Sequence, residues 1–173
     1  MLQDKLKKEF TRLWTGELAA VVSFWFCFFC SKINLERTFT VILSQGMLIS
    51  ILYQLFVLSI ILIQGSIYWL ILLKRLSVPQ YAKSNTGKIY RVLKIVNVVL
   101  LGLGIVIMII NYSNIGVLII SVFIWLFAVI EWINYFEWRL AYSYNPLILL
   151  GHIMNGTLSK SRIAREISDC ERE

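Results

Sequence analysis

Long runs of apolar residues, separated by short polar segments, make up most of the chain. Two of these runs, 38–73 and 95–130, each contain 36 residues without a single charge. A helix of a soluble protein needs an apolar stripe on one face only. A helix that crosses the roughly 30 Å hydrocarbon core of a bilayer needs about 20 apolar residues in succession. The pattern therefore predicts an all-α membrane protein.

Four transmembrane spans follow from this pattern, at about residues 13–31, 38–73, 92–110 and 115–136. The second is too long for a simple span, since 36 helical residues extend over about 54 Å. We expect this long second helix to tilt, to project from the membrane or to bend near 44–46. The sequence Asn-Tyr-Ser-Asn at 111–114 separates the third span from the fourth. Because Asn and Ser side chains bond to nearby backbone groups, we predict a tight helical hairpin there.

Short helices at the membrane surface are expected at both ends of the chain. Residues 1–12 combine apolar and basic side chains at helical spacing, which predicts an amphipathic N-terminal helix on the cytoplasmic face. The tail, 137–173, is predicted to be cytoplasmic and interfacial. Its apolar run at 147–154 is too short to span, and a last helix carries Ile163 and Ile167 on one side.

The distribution of positive charge predicts the orientation of the spans. The chain has 17 Lys and Arg residues and a net charge of +7. With both termini in the cytoplasm, only Lys32 and Arg37 lie on the outer side, and the turn between spans three and four has no cation. Cytoplasmic loops carry an excess of Lys and Arg, so we predict cytoplasmic termini in the cell (inner) membrane. These cations flank apolar runs, which favours anionic lipid headgroups over nucleic acid as their partner.

Cysteine and histidine are spaced in a way that does not indicate a metal or redox site. Cys27 and Cys30 form a C-x-x-C within an apolar helix, without the flanking cations that activate a thiol. We interpret them as small buried apolar residues and leave a redox role open. His152 has no second ligand beside it. We predict no cofactor and no metal, and the absence of a phosphate-binding loop, a nucleophile elbow or an H-E-x-x-H motif predicts a non-enzymatic protein.

Ionisable side chains at membrane depth are the candidate sites, because placing them in lipid is costly. Glu17 lies about one turn inside span one and is a candidate to bind a cation or to shuttle protons. The simpler hypothesis, which we prefer, pairs it with Lys94 or Arg91 among the headgroups. Glu131 and Asn134 are neighbours on one helix face near the end of span four and form a second candidate site for an ion or a substrate.

Aromatic and basic residues near the end of span four are candidate contacts with another subunit or a partner. They are Trp132, Tyr135, Trp138 and Arg139, followed in the tail by Lys160, Arg162 and Arg165. The simpler interpretation of the aromatic residues is a belt at the membrane interface. The alternative is a ring or gate at which polar side chains of neighbouring subunits meet.

Three glutamines, Gln45, Gln54 and Gln64, occur along span two. At helical spacing they do not share one face, so they do not form a continuous polar pathway. We expect them to make hydrogen bonds to neighbouring helices.

Two segments near the C-terminus, 131–142 and 158–166, carry a resemblance. E-W-I-N-Y-F-E-W-R-L-A-Y and L-S-K-S-R-I-A-R-E resemble the C-terminal part of small bacterial four-helix membrane proteins, which have no settled activity. The resemblance implies a bacterial inner-membrane protein in a stress or defence setting and assigns no role to any residue.

Three classes of function are compatible with these features. We favour a non-enzymatic membrane subunit, a sensor, anchor or immunity component in bacterial stress or phage defence. It forms a homo-oligomer through spans two and four and presents its basic cytoplasmic tail to a soluble partner. The first alternative is a small oligomeric transporter or channel that uses Glu17 or a polar ring near Glu131. The second is a pore-forming membrane effector.

Overall fold

Five helices account for nearly all of the residues that the computed structural model describes, which are 2–38, 44–139 and 159–170. They are α1 (Leu2–Thr38), α2 (Gln45–Arg75), α3 (Lys83–Ile110), α4 (Ile115–Phe136) and α5 (Arg162–Cys170). The first four are long and apolar enough to cross a membrane. The predicted all-α architecture with four candidate spans is therefore confirmed. We call the end of the bundle with the α2–α3 connection (76–82) the loop end, and the opposite one, with 111–114, the hairpin end.

Helix α1 joins the predicted N-terminal helix and span one into one helix. It continues for 37 residues, about 56 Å. No proline interrupts the hydrogen bonds of the backbone between the two segments, and a lone glycine, Gly16, is tolerated within a helix. The basic first turns are thus collinear with the span. Phe10 holds them against the bundle, since it is buried and its ring stacks on Trp69 of α2 at 5.8 Å.

Helix α2 is the central helix and contacts α1, α3 and α4. The bend expected at 44–46 is where this helix begins: the side chain of Ser44 accepts a hydrogen bond from the backbone N–H of Met47 and caps the first turn. At 31 residues, about 46 Å, α2 is longer than a single span requires. Residues 39–43 of the predicted second span lie outside the described part of the chain.

Helices α3 and α4 form the predicted hairpin. The side chain of Asn114 accepts a hydrogen bond from the N–H of Gly116 at 2.7 Å and caps α4. Asn111 donates from Nδ2 to the carbonyl oxygen of Ile107 at 3.0 Å and closes the last turn of α3. The asparagines thus satisfy backbone groups at both helix ends, which is the reason that the sequence signal was correct.

The connection between α2 and α3 is shorter than expected, because α3 begins at Lys83 instead of near residue 92. The helix extends out of its apolar part into a charged segment. Ala82 makes the turn with a positive φ of 53°. Arg75 fastens the turn by donating from Nε to the carbonyl oxygen of Tyr81 at 3.0 Å.

Buried amide groups connect α2 to α3. Gln64 and Asn97 form a reciprocal pair, with Asn97 Nδ2 donating to Gln64 Oε1 at 2.6 Å and Gln64 Nε2 donating to Asn97 Oδ1 at 3.2 Å. Gln54 Nε2 donates to the carbonyl oxygen of Gly104 at 2.9 Å. The expected interhelical hydrogen bonds are confirmed for these two glutamines, whereas Gln45 is exposed at the start of α2. In apolar surroundings such bonds fix the register of the two helices.

The outer surface of the bundle is largely apolar. On α2 it is a narrow stripe of Ile49, Phe56, Ile63 and Ile67, while α3 and α4 expose many more aliphatic side chains. The expectation of buried cysteines is wrong for Cys27, because it lies on the outward face of α1, and Cys30 is only half-buried. An apolar surface of this extent is typical of a protein that contacts lipid.

Candidate functional site

The C-terminal helix α5 folds back onto the loop end of the bundle. An antiparallel bridge between Trp138 and Lys160 brings the chain back beside the end of α4. Ile163 and Ile167, which are 2% and 7% exposed, are buried against the bundle, where α5 contacts α3 and α4. The amphipathic pattern of this helix is therefore used for packing within the chain.

One carboxylate anchors α5 to α2. Glu166 Oε1 accepts hydrogen bonds from the hydroxyl of Tyr68 at 2.8 Å and from Nη1 of Arg75 at 2.6 Å. Gly87 of α3 allows the close approach of the two helices. A Cβ at this position would lie 2.8 Å from the carbonyl oxygen of Glu166 and 2.8 Å from Cβ of Cys170. The docked position of α5 thus depends on an ion pair and on one glycine.

Ser161 connects the start of α5 to α4. Its hydroxyl donates to the backbone carbonyl oxygen of Tyr135 and accepts a hydrogen bond from the N–H of Ala164 at 3.0 Å. The second bond caps the first turn of α5. The hydroxyl of Ser161 therefore both binds the backbone of Tyr135 and caps α5.

A cavity of about 480 Å³ opens at the loop end between α1, α2, α4 and the start of α5. We call it the loop-end cavity. Its size is in the range of small-molecule sites. Its lining residues are Glu9, Arg12, Leu13, Glu17, Tyr68, Trp69, Glu131, Asn134, Tyr135, Arg139, Ser161, Arg162 and Ile163.

The deep part of the cavity contains two carboxylates from opposite helices. Glu17 of α1 accepts a hydrogen bond from the hydroxyl of Tyr135, and Glu131 is hydrogen-bonded to Asn134. Glu17 and Glu131 are close enough for their negative charges to repel each other. Tyr135 fits here because Gly65 of α2 has no side chain: a Cβ on Gly65 would overlap with the tyrosine ring.

The mouth of the cavity is mainly basic. Arg12, Arg139 and Arg162 are exposed there, together with Glu9. The guanidinium of Arg162 lies over the ring of Phe10, 5.3 Å from its centroid. Because α1 runs away from the loop end and α4 runs back towards it, Glu17 and Glu131 lie deeper than these arginines. The cavity thus offers carboxylates and a phenol to a cation inside and guanidinium groups to an anion at its mouth.

Aromatic packing separates the cavity from the hairpin end. Phe24 of α1 lies beyond Glu17, and Phe127 of α4 lies beyond Glu131. Their rings meet edge to face, with centroids 5.6 Å apart. The cavity accordingly lies on the loop-end side of this contact.

The structure brings the predicted binding residues Glu17, Glu131 and Asn134 into one site. It gives Glu17 a different partner from the one we expected, namely the hydroxyl of Tyr135. Lys94 is instead paired with Glu137, at 2.5 Å. The reason is that α2 packs against both α1 and α4, which places the loop-end parts of these two helices on the same cavity.

The predicted contact residues divide into exposed and internal ones. Those on the surface are Trp138, Arg139, Lys160, Arg162 and Arg165. Tyr135 is buried and belongs to the cavity, and Trp132 is half-buried and stacks on Phe136 at 6.3 Å. These two aromatic residues support the fold and the site from inside the chain.

Sequence reasoning missed several residues that build the site. Gly65, Tyr68, Arg12 and Glu166 were not predicted as residues of a site, because their roles there depend on contacts between distant segments. Tyr135 had a partial signal, since it lies four positions after Glu131 on one helix face.

Part of the predicted tail lies outside the described residues. This applies to the apolar run at 147–154 and to His152. Within 2–38, 44–139 and 159–170, no group of three or more His, Cys, Asp or Glu side chains is arranged to hold a metal ion.

Comparison of the chain with protein-family models, with curated proteins and with solved structures gives no match. The resemblance to small bacterial four-helix membrane proteins therefore stays a prediction. The arguments for function below rest on the geometry of this chain alone.

Proposed function

We propose that this chain is a non-enzymatic sensor subunit of the cytoplasmic membrane of a bacterium, with four transmembrane helices and both ends in the cytoplasm. A small ligand occupies the loop-end cavity. Binding of the ligand changes the position of α5, which faces a soluble partner in the cytoplasm. The subunit functions as a homo-oligomer.

The apolar surface and the distribution of cations support the membrane placement. The four long helices expose aliphatic side chains over most of their length. The loop end carries the charged start of α1, the α2–α3 connection and α5, whereas the hairpin turn at 111–114 has no cation. By the positive-inside rule, the loop end is the cytoplasmic end.

The single observation that carries the sensor function is the position of Tyr135. Its hydroxyl is bonded to Glu17 inside the cavity, and its backbone carbonyl is bonded to Ser161, the cap of α5. Ser161, Arg162 and Ile163 also line the cavity. A ligand that changes the contacts of Tyr135 therefore acts directly on the start of α5.

The outward face of α5 supplies the proposed contact with a partner. Lys160, Arg162 and Arg165 are exposed, while Ile163 and Ile167 hold the helix on the bundle. A basic face on a docked helix suits an acidic protein surface, since charge complementarity favours association. Displacement of α5 changes where these cations are presented.

The orientation predicts which positions react with a membrane-impermeant maleimide. In a variant with all three cysteines replaced by serine, Ser113→Cys is expected to be labelled in intact cells. The matched variant Ser77→Cys, on the other side, is expected to be labelled only after the membranes are opened. Both serines are exposed in the chain. The reverse pattern would reject cytoplasmic termini.

The coupling through Tyr135 predicts that Tyr135→Phe loosens α5. Loss of the hydroxyl removes the hydrogen bond from Tyr135 to Glu17. This bond holds Tyr135 in place, and the backbone carbonyl of Tyr135 in turn binds Ser161. A hydrogen bond of this kind is worth about 1 kcal/mol, so amide exchange in 162–170 should become roughly fivefold faster. Hydrogen–deuterium exchange of the full chain in detergent measures this.

Tyr53→Phe is the matched control for that experiment. Tyr53 also lies on a membrane helix and donates its hydroxyl proton to a backbone carbonyl, that of Leu100, at 3.1 Å. It has no contact with α5 in the described structure. Equal exchange of α5 in both variants and in the parent would contradict the sensor function.

A transporter is the second candidate, and the facing carboxylates Glu17 and Glu131 are the observation in its favour. The rings of Phe24 and Phe127 meet between these carboxylates and the hairpin end, so a transport path along α1 and α4 requires the two rings to move apart. Proton-dependent flux in proteoliposomes that is lost in Glu17→Gln would establish this function. The pore-forming effector stays a prediction without an observation that favours it.

The homo-oligomer also stays a prediction. The structure limits the surfaces of α2 and α4 through which two subunits could make contact. Helix α2 is mostly covered by its neighbours, so only its exposed stripe of four apolar residues is open to another subunit. Helix α4 exposes a wider apolar face.

A further inference from the structure

We propose that the loop-end cavity binds an elongated zwitterion from the cytoplasm, a compound with an ammonium group at one end and a carboxylate or phosphate at the other. The ω-amino acids are the simplest class of such ligands. This proposal names the ligand of the cavity and rests on the proposed function for the cavity's role as a sensory site.

The order of charges along the cavity supports this class. Glu17 and Glu131 lie deep, and Arg12, Arg139 and Arg162 lie at the mouth. An ammonium group that enters first is attracted by two carboxylates in a site partly shielded from water, where charge interactions are stronger than in bulk solution. The acidic end of the same molecule then meets guanidinium groups, which bind carboxylate and phosphate in a bidentate way.

The positions of Arg12 and Glu17 along α1 lead to the expected length of the ligand. They are five residues apart, so their Cα atoms are separated by about 7.5 Å along the helix axis. We infer that an α-amino acid is too short to reach both ends at once. A chain of about five methylene groups between the ammonium and the carboxylate matches this axial separation.

Apolar and aromatic side chains of the cavity suit a methylene chain. Leu13, Tyr68 and Trp69 are among the lining residues. Aliphatic groups pack on such surfaces, and aromatic faces also attract an ammonium group that passes over them.

Two other classes of cation fit less well. In a phospholipid of the adjacent leaflet, the phosphate lies nearer the hydrocarbon and the amine lies nearer the water, which is the opposite of the order in the cavity. A polyamine brings positive charge to the arginines at the mouth. A soluble zwitterion satisfies both ends.

Binding to the purified full chain in mild detergent tests the proposal by calorimetry. The probes are 4-aminobutanoate, 6-aminohexanoate and 8-aminooctanoate, with hexylamine and hexanoate as probes that carry one charge. We expect the tightest binding for 6-aminohexanoate and binding about tenfold weaker or more for both singly charged probes. Equal binding of all three lengths, or binding of hexanoate as tight as that of 6-aminohexanoate, would overturn it.

A lipid source of the same chemistry is tested in parallel. A short-chain phosphatidylethanolamine and soluble glycerophosphoethanolamine are titrated under the same conditions. Binding of the lipid in preference to every soluble zwitterion overturns the proposal. Weaker binding of the lipid supports it.

Two variants separate the site from general effects on the protein. Glu17→Gln is expected to weaken the binding of 6-aminohexanoate by about tenfold or more, because it removes a negative charge from the deep end of the cavity. Glu137→Gln is the control, as this acid lies at the same end of the bundle and pairs with Lys94 outside the loop-end cavity. Equal affinities of the two variants would reject the site.

The failure of this proposal can be told apart from the failure of the proposed function. Binding of 6-aminohexanoate without any change in the exchange of α5 supports the ligand class and rejects the sensor. Faster amide exchange of α5 in Tyr135→Phe, together with no binding of any zwitterion, supports the sensor and rejects the ligand class.

Discussion

Replacing Gly65 with alanine is expected to dismantle the deep end of the loop-end cavity. The added methyl group would overlap with the ring of Tyr135, which is buried and held by its bond to Glu17. The atoms that it would meet are at the far end of the ring, which lines the cavity, so we expect the ring to shift into the cavity and its hydroxyl to leave the carboxylate. Overpacking of this kind costs about 1–3 kcal/mol. We therefore expect a lower midpoint of thermal unfolding in detergent and the loss of 6-aminohexanoate binding.

Gly102→Ala is the matched control for Gly65→Ala. Gly102 also lies inside a long apolar helix, α3, and a Cβ there meets no atom within 4 Å. The intrinsic preference of a helix for alanine over glycine, up to about 1 kcal/mol, applies to both positions. The difference between the variants therefore reports the contact with Tyr135. If Gly65→Ala is as stable as Gly102→Ala and binds the probe normally, Tyr135 does not pack against Gly65.

Replacing Gly87 with valine is expected to release α5 from the bundle. The new Cβ would press against the backbone carbonyl of Glu166, and a backbone atom cannot rotate away as a side chain can. A free helix of nine residues is unstable in water, so α5 should unfold once it is displaced. Burial of Ile163 and Ile167 is worth about 3 kcal/mol or more, and its loss should accelerate amide exchange in 162–170 by roughly 100-fold.

Gly102→Val provides the comparison on the same helix, because it adds the same side chain at a site with open space. It should leave the exchange of α5 unchanged. Both variants are expected to retain the four long helices by circular dichroism, since α5 lies at the end of the bundle. Protection of 162–170 in Gly87→Val equal to that in Gly102→Val would show that α5 is not docked at this position.

The two glycines affect different parts of the proposed signal. Gly65→Ala acts on Tyr135 inside the cavity, whereas Gly87→Val acts on α5 directly. Under the sensor function, the first variant should lose the ligand and loosen α5 moderately. The second should release α5 and retain Glu17 and Glu131 in place, so that the deep end still binds an ammonium group.

Local features of the sequence were sufficient to predict the helices. The uncharged runs indicated the four long helices, because apolar composition over such a length has few other uses. Asn111 and Asn114 marked helix ends correctly, since each bonds to backbone groups within a few residues of itself. At Ser44, where we expected a bend within the second span, α2 begins instead. The continuity of α1 followed from the absence of a helix breaker, which a purely amphipathic interpretation of residues 1–12 overlooked.

The composition of the candidate site was only partly accessible from the sequence. Glu17, Glu131 and Asn134 were identified because charged and amide groups are rare at membrane depth. Their meeting in one cavity was not predictable, as Glu17 and Tyr135 are 118 positions apart. A hydrogen bond from Gln64 to a neighbouring helix was predicted, but its partner Asn97 was not, because nothing in the sequence singled out Asn97.

The sequence by itself determined the number of long helices, the helix ends at the 111–114 turn, and which polar side chains are costly to bury. Each of these depends on neighbours within a few turns, where apolar runs and capping residues act directly. The tertiary structure alone decided that α2 is central, that Tyr135 joins Glu17 to the cap of α5, and that α5 docks beside Gly87. These features arise from close contacts between distant segments, for which a missing side chain at Gly65 or Gly87 matters as much as any group that is present.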